Sequence, residues 1–327
     1  MPKQFPELTD ADIDALRMRR ILAVGKRLKR RREKRVPIQK LPRGAQLEYM
    51  AGLKKIQKTI SDTTREIIFP ELSSFQLSDS EFITRKINSV RFAVAEKISI
   101  DEINALTRKV GTQLSLFNRA EVGKQLKSVI GVDIITAEPW LDDHLIKFRK
   151  ENVNLIKSLQ GTELDDVENI LLRGFRRGER VEVLRDNIVS RFGVSENKAM
   201  LIARDQTMKL NGELTQLRQQ SIGVKSYIWR ASLDERVRGN PEGKYPDAWP
   251  SHYARDGKRF FWDKPPSEDA YDGHPGFPIQ CRCRAEPDLS HLIGDEFAPV
   301  KGRRSFANSQ LLDYSSKKKR GSKKNRK

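Results

Sequence analysis

The sequence predicts a mostly α protein with a C-terminal α+β module. It reads as a helical N-terminal region, a small irregular β-containing module near the C-terminus and a disordered basic tail. Three observations carry that prediction. Apolar residues recur at helical spacing from about residue 9 to residue 220, alternation replaces that spacing after Gly223, and Lys/Arg runs sit at both ends. Four segments follow: a basic helical arm and linker over 1–43, a helical domain over 44–160, helices leading into the small module over 161–288, and a basic tail over 289–327.

The first predicted helix starts at Thr9 or Asp10, either of which can accept from free backbone N–H groups. Asp12 and Asp14 suit its positive end, and Ile13, Leu16, Ile21 and Val24 form its apolar stripe. Pro37 and Pro42 mark a linker. Residues 45–68 and 79–110 read as the next two helices. Tyr49, Leu53, Ile56 and Ile60 share a face of the first, Pro70 stops it, and Ser78 or Asp79 caps the second. From Trp140, the residues Leu141, Leu145, Phe148, Leu155, Ile156 and Leu159 fall on one face. Gly161 and Thr162 are expected to break that helix, and Leu164, Val167, Leu171 and Phe175 to line its successor. After the turn at 176–180 comes a helix expected to end at Gly193, and Ser195 is expected to cap a longer one running to Gly223. Val224, Tyr227, Trp229, Ala231 and Leu233 then alternate as in a strand, and Arg259–Trp262 reads as its partner. In this module Tyr227, Trp229, Phe261 and Trp262 are the expected core anchors.

Composition limits the function. A formal net charge of +19 favours a polyanionic partner, nucleic acid ahead of an anionic membrane. No run of 18 apolar residues is present and the N-terminus has no apolar core like a secretory signal, so a soluble protein made in the cytoplasm is expected. Two cysteines cannot build a disulfide framework. Phosphate loops of the GxxxxGK[ST] kind, nucleophile elbows and HExxH are all missing, which argues against an enzyme.

The charge is concentrated in two runs. Residues 26–35 hold eight Lys/Arg against one Glu, and 317–327 hold eight basic residues in eleven. Each run reads either as a solvated end or as an arm lying on phosphates. In the second reading the contacts are Lys26, Arg27, Lys29, Arg30, Arg31, Arg32, Lys34 and Arg35 at one end, with Lys317, Lys318, Lys319, Arg320, Lys323 and Lys324 at the other.

Both cysteines lie in the stretch HPGFPIQCRC at 274–283. With His252 and His274, Cys281 and Cys283 match a closed tetrahedral zinc site in number and type of ligand, and a small module with a meagre core gains from such a staple. Without metal the same residues are packed thiols and loop imidazoles. Zinc is thus the one candidate cofactor. Asp234, Asp256, Asp263, Asp269 and Asp272 lie near the histidines and allow a metal-assisted hydrolysis reading, but acidic residues in such loops more often form turns. Arg204 and Asp205, on the long helix, are expected to contact the module, for instance at Asp234 or Arg236.

Three stretches occur in order: IARDQTMKLNGELTQLRQQSIGVKSYIWRASLDERVR (202–238), SHYARDGKRFFWDKPP (251–266) and GHPGFPIQCRC (273–283). Together, over about residues 150–285, the chain resembles the phage Mu protein F-like family, the minor head or head-morphogenesis proteins of tailed bacteriophages. The resemblance implies a structural, non-enzymatic role: a low-copy part of procapsid and virion, in the capsid interior or at the portal vertex, and in the host cytoplasm during assembly. The implied partners are the portal protein, a major capsid or scaffold protein and packaged double-stranded DNA, with no membrane. Some members carry a cysteine pair in the neighbourhood of Arg238 and His252. Here Arg238 stands where the first would be, and residues 239–250 look like an insertion, which favours packing without metal. The competing expectation is a zinc-stabilised nucleic-acid-binding protein free in the cytoplasm, and behind it a metal-dependent nuclease.

Overall fold

A computed structural model describes residues 36–73, 80–131, 133–135, 137–269 and 272–290. Among these, five α-helices precede a three-stranded antiparallel sheet, α1 Arg43–Ile68, α2 Ser80–Lys97, α3 Ile100–Ile130, α4 Leu141–Arg176, α5 Val181–Ser221, β1 Ser226–Arg230, β2 Arg259–Phe261 and β3 Arg284–Asp288. The mostly α class with a terminal β-containing module is the architecture observed. The helix expected from Thr9 lies outside the described residues.

The apolar stripes do what their spacing predicts. Tyr49, Leu53, Ile56 and Ile60 of α1 and Ile83, Ile87, Val90 and Val94 of α2 are buried in one cluster that reaches Leu214 of α5. That cluster takes residues from both sides of the 160/161 boundary, which falls inside α4. The expected break at Gly161 is absent. Leu159 before it and Leu164, Val167 and Leu171 after it bury against the same core. A glycine inside a helix costs only about 1 kcal/mol relative to alanine, less than burying one large apolar side chain contributes. Gly193 is carried through α5 for the same reason, between buried Ile188 and Ala199. Conversely, the expected 79–110 helix divides at Ser99. Its hydroxyl accepts from the Glu102 N–H at 3.1 Å while the Glu102 carboxylate accepts from the Ser99 N–H at 3.3 Å, a capping box that starts α3. The stretch 36–41 also departs from the linker reading. Val36 and Gln39 are buried, and Gln39 Nε2 donates to Thr215 Oγ1 of α5.

The sheet order is β2-β1-β3. β1 pairs with β2 from Ser226↔Phe261 to Ile228↔Arg259, the partnership the sequence predicts. It also pairs with β3 over all five residues, Ser226↔Asp288 to Arg230↔Arg284, an edge the sequence does not announce because Arg-Ala-Glu-Pro-Asp lacks strand character. Two side-chain bonds from Gln219 of α5 fasten the sheet: its Nε2 donates to Ala285 O at 3.0 Å, and its Oε1 accepts from Trp262 Nε1 at 3.1 Å. A third link is backbone on backbone. The Pro275–Gly276 turn lies on α5, where a Cβ at Gly212 would fall 2.6 Å from Pro275 O and one at Gly276 2.8 Å from Met208 O.

Glu163 of α4 makes the bundle sensitive to pH. It is 1% exposed, and among the described residues neither carboxylate oxygen finds a hydrogen-bond partner. Burial pushes its carboxyl up to about 8, against the opposing pull of Arg191 and the Gln57 amide, with Asp166 adding to the rise. Unfolded, the group ionises near 4.5. Its contribution to stability is therefore full below about pH 4.5, declines as pH rises and is lost above about pH 8. Denaturant melts across that range are expected to show this slope, and Glu163→Gln is expected to flatten it and to be the more stable protein above pH 8. Separately, Gly212→Ala is expected to lower stability by about 1–3 kcal/mol, since backbone must move to admit the methyl group. Gly193→Ala has open space around the new Cβ and is expected to raise stability by up to about 1 kcal/mol in the same melts.

Candidate metal centre

The sheet delivers the cysteines and a turn delivers the histidine. Cys281 and Cys283 lie directly before β3, and His252 lies in the turn between β1 and β2. All three are buried, at 3–5% exposure, and both cysteines are free thiols. Each Sγ is 3.7 Å from His252 Nδ1, and the three ligand atoms lie within 4.8 Å of one another. The Trp229 ring meets the imidazole edge-on at 5.1 Å, and the Gly276 N–H donates to Cys281 Sγ at 3.4 Å. His252 Nε2 is buried and has no hydrogen-bond partner among the described residues.

The electrostatics separate the two thiols. Burial raises the Cys281 thiol, but hydrogen bonds from Cys283, His252 and the Gly276 N–H outweigh it and hold this group well below the usual thiol range. Cys283 is pushed well up, first by burial and then by the charge that Cys281 takes on.

Two thiols and one imidazole form a donor set suited to zinc. Zinc–sulfur bonds of about 2.3 Å and zinc–nitrogen bonds of about 2.0 Å in a tetrahedron place sulfur roughly 3.5 Å from nitrogen, close to the spacing found. The residues present therefore fit three of four ligand places. His274 does not supply the fourth. Its Nδ1 is hydrogen-bonded to Tyr227 Oη at 2.9 Å, its ring also hydrogen-bonds the Trp262 backbone, and it packs edge-on to Trp262 at 4.8 Å. Burial pushes this imidazole below its ordinary value. Arg238 turns to the Trp249 carbonyl at 2.5 Å and to Asp269 at 3.7 Å.

The nearby carboxylates hold loops. Asp234 Oδ1 accepts from Arg282 Nη2 at 2.7 Å and from the Arg236 N–H at 2.9 Å. Asp256 Oδ1 accepts from the Ala231 N–H, and Asp272 takes both Nη atoms of Arg255. Asp205 does reach the module, as expected, but its partner is the Gln280 N–H at 2.9 Å and not Asp234 or Arg236. Arg204 is half-buried and held below the usual arginine range, by burial first and then by Arg282 and Arg236.

Of the four expected core anchors, Tyr227, Trp229 and Trp262 are buried, with Tyr227 and Trp262 centroids 4.2 Å apart. Phe261 is a correction. It is 48% exposed, because the alternation in β2 turns Phe260 and Trp262 inward and Phe261 out. Phe260 takes the inner place, 5.9 Å from Tyr227 and 5.5 Å from Trp229. The basic runs 26–35 and 317–327 lie outside the described residues. Gly212 is a further residue that shapes the corner, and helical periodicity alone does not single it out. The signal was a glycine, between Asn211 and Glu213, inside a strongly helical stretch.

Comparison with known proteins bears on this corner directly. A family model described as Phage Mu protein F like protein matches residues 165–286. A protein of Haemophilus influenzae described as uncharacterized is 30% identical over 273 residues, covering 81% of this chain. The chain spans 58% of that relative's length. No solved structure matches. The matched segment begins inside α4, takes in all of α5 and the cysteine corner, and ends inside β3. Over residues 165–286 this chain is similar to the family described as Phage Mu protein F like protein.

Proposed function

We propose that this chain is a head-morphogenesis protein of a tailed bacteriophage, a low-copy structural component of procapsid and virion. In this reading it sits at the portal vertex or in the capsid interior, against the portal protein and a major capsid or scaffold protein, and binds packaged double-stranded DNA without sequence preference. The observation that supports it is the family match over residues 165–286. Within it the 251–266 stretch meets the 202–238 stretch on α5 through Trp262 and Gln219, and the 273–283 stretch meets it through Gly212 and Asp205. Charge supports the DNA clause: residues 1–35 carry a net +7 and residues 291–327 a net +8 of the total +19. Lys/Arg contacts to phosphate position a protein on a duplex without reading its sequence. No helix among the described residues is long and apolar enough to cross a membrane.

Mass spectrometry of purified procapsids and virions is expected to find the protein at a few copies per particle. Its absence from both would end the structural reading.

One observation favours a second reading, the convergence of two thiols on a single imidazole nitrogen. In it the corner is a zinc-stabilised module of a nucleic-acid-binding protein acting free in the cytoplasm. His252, Cys281 and Cys283 would hold the ion, which would supply cross-linking of the His252 turn to the start of β3. Elemental analysis of the full chain is expected to give one zinc per molecule, with cobalt substitution producing a thiolate charge-transfer band. Cys281→Ser and Cys283→Ser are expected to abolish that band, while His274→Gln retains it. A metal-free protein whose melting is unmoved by chelator would leave the corner as packed thiols.

A further inference from the structure

The two faces of α3 meet different surroundings. On one, Val122, Leu126, Val129 and Ile130 are buried with Val36 and Leu289 in a small apolar cluster. Hydrogen bonds close that side: Gln125 Nε2 donates to Pro37 O at 3.0 Å, the Lys40 N–H donates to Glu121 Oε2 at 2.6 Å, and Arg284 Nη1 of β3 donates to Gln39 O at 2.8 Å. The other face borders an open cleft of about 620 Å³, with Arg119, Lys124 and Lys127 on its walls beside Leu116, Ala120 and Gly123.

Positive charge is left over on this cleft after internal pairing. Lys124 and Lys127 are exposed and have no ion-pair partner among the described residues. They are three residues apart and so share a helix face. Lysines elsewhere in the bundle behave differently: Lys54, Lys58, Lys97 and Lys109 each meet a carboxylate at 2.5–2.8 Å. Arg119 is held by the Ile135 carbonyl at 2.9 Å and by Glu138 at 3.4 Å. Glu138 also pairs with buried Arg218, so one carboxylate serves two guanidiniums and a positive charge stays unbalanced beside the cleft. Among the described residues Asp133 is the one carboxylate lining the cleft, and its Oδ1 already accepts from the Ile135 N–H. Arg119 and Lys127 are eight residues apart, about 12 Å along the helix. One strand of a duplex offers a charge about every 3.4 Å of axis, so the three cations span about as much length as three or four successive phosphates.

We propose that the face of α3 bearing Arg119, Lys124 and Lys127 is a binding surface for the phosphate backbone of duplex DNA, with Arg119 fixed and the two lysines free to follow the strand. This rests on the DNA-binding clause of the proposed function and adds to it a site on the folded bundle. The layout favours a phosphate strand over an acidic protein helix. Such a helix docks by an apolar seam, and this cleft offers one large apolar side chain, Leu116. A row of cations with no acid between them matches a backbone whose charges repeat along a line. Contacts of this kind position a protein on a duplex without reading its sequence, and each neutralised phosphate releases condensed counterions.

The test takes the full chain and a duplex of about 20 base pairs at low salt, with two readouts. In the first, lysines are acetylated with and without the duplex and the products are located by mass spectrometry. Lys124 and Lys127 are expected to lose most of their reactivity when the duplex binds, while Lys58, on the exposed side of α1, keeps its own. In the second, affinity is titrated against salt for the protein and for Lys124→Gln with Lys127→Gln, exposed changes whose fold is checked by circular dichroism. The variant is expected to bind about tenfold more weakly, with a salt slope smaller by about 1.8, that is about 0.9 for each phosphate no longer neutralised. A complex in which both lysines stay reactive and the variant keeps its slope would overturn the α3 face and leave DNA binding standing. Poly-glutamate that protects the two lysines at lower concentration than the duplex would overturn the phosphate assignment and make the cleft a protein-docking surface. No duplex bound at low salt would overturn both readings, and the failures are told apart by whether any complex forms.

Discussion

The fold hangs on a guanidinium that water does not reach. Arg218, near the end of α5, is fully buried, and its five N–H groups are spent on α3 and on the stretch that leads into α4. Nε and Nη2 meet the Glu138 carboxylate at 2.5 and 3.1 Å, Nη1 donates to Ser115 O and Asn118 Oδ1 of α3, and Nη2 also donates to Ser115 Oγ. Burial raises the Glu138 carboxyl, but Arg218 and Arg119 outweigh this and hold it below the ordinary range. An ion pair of this kind gains little over well-packed apolar groups, yet breaking it strands a buried charge at a cost of about 3–5 kcal/mol. Its value is positional. One and two turns earlier on the same face Thr215 and Asn211 receive the Asn118 amide, and one residue later Gln219 reaches the sheet. A single polar edge of α5 thus sets the bundle, the N-terminal stretch and the sheet relative to one another.

The cysteine corner inherits its precision from that edge. Gln219 positions Trp262, Trp262 packs on Tyr227 and His274, and the His274 turn rests by its glycine on Gly212. The turn then carries the chain to Cys281, so the spacing of the two sulfurs from His252 is fixed by α5 as much as by the loop. In this arrangement His274 is a beam of the corner and His252 its thiol-facing group. The two histidines have the same side chain and opposite tasks because one has a phenol beside it and the other has two thiols.

Helix and strand positions were legible wherever burial is periodic. The stripes on α1 and α2 and the β1–β2 pairing follow from residue type alone. The breaks were less so. Gly161 and Gly193 look like stops, and only the shared core on either side of each overrides them. Ser99 with Glu102 is a stop written openly in the sequence, hidden by the continuing apolar pattern around it. β3 was invisible because its five residues are held by Arg230–Glu286 and by their β1 partners, not by strand propensity. At the candidate centre, residue type named candidate ligands, but only the fold could tell which imidazole faces the thiols. Phe261 and Phe260 could not be ranked from sequence, because two adjacent phenylalanines fit either phase of an alternating strand.

Val36 and Leu289, near the two ends of the described residues, share one apolar cluster with α3, and this has a mechanical side. A load applied to one basic end and resisted by the other passes from Val36 to Leu289 through a patch of α3 and the start and end of the described chain. Tension between the ends would therefore test a few apolar contacts, the Arg284–Gln39 hydrogen bond and the bonds by which Gln39 and Ala285 are held to α5.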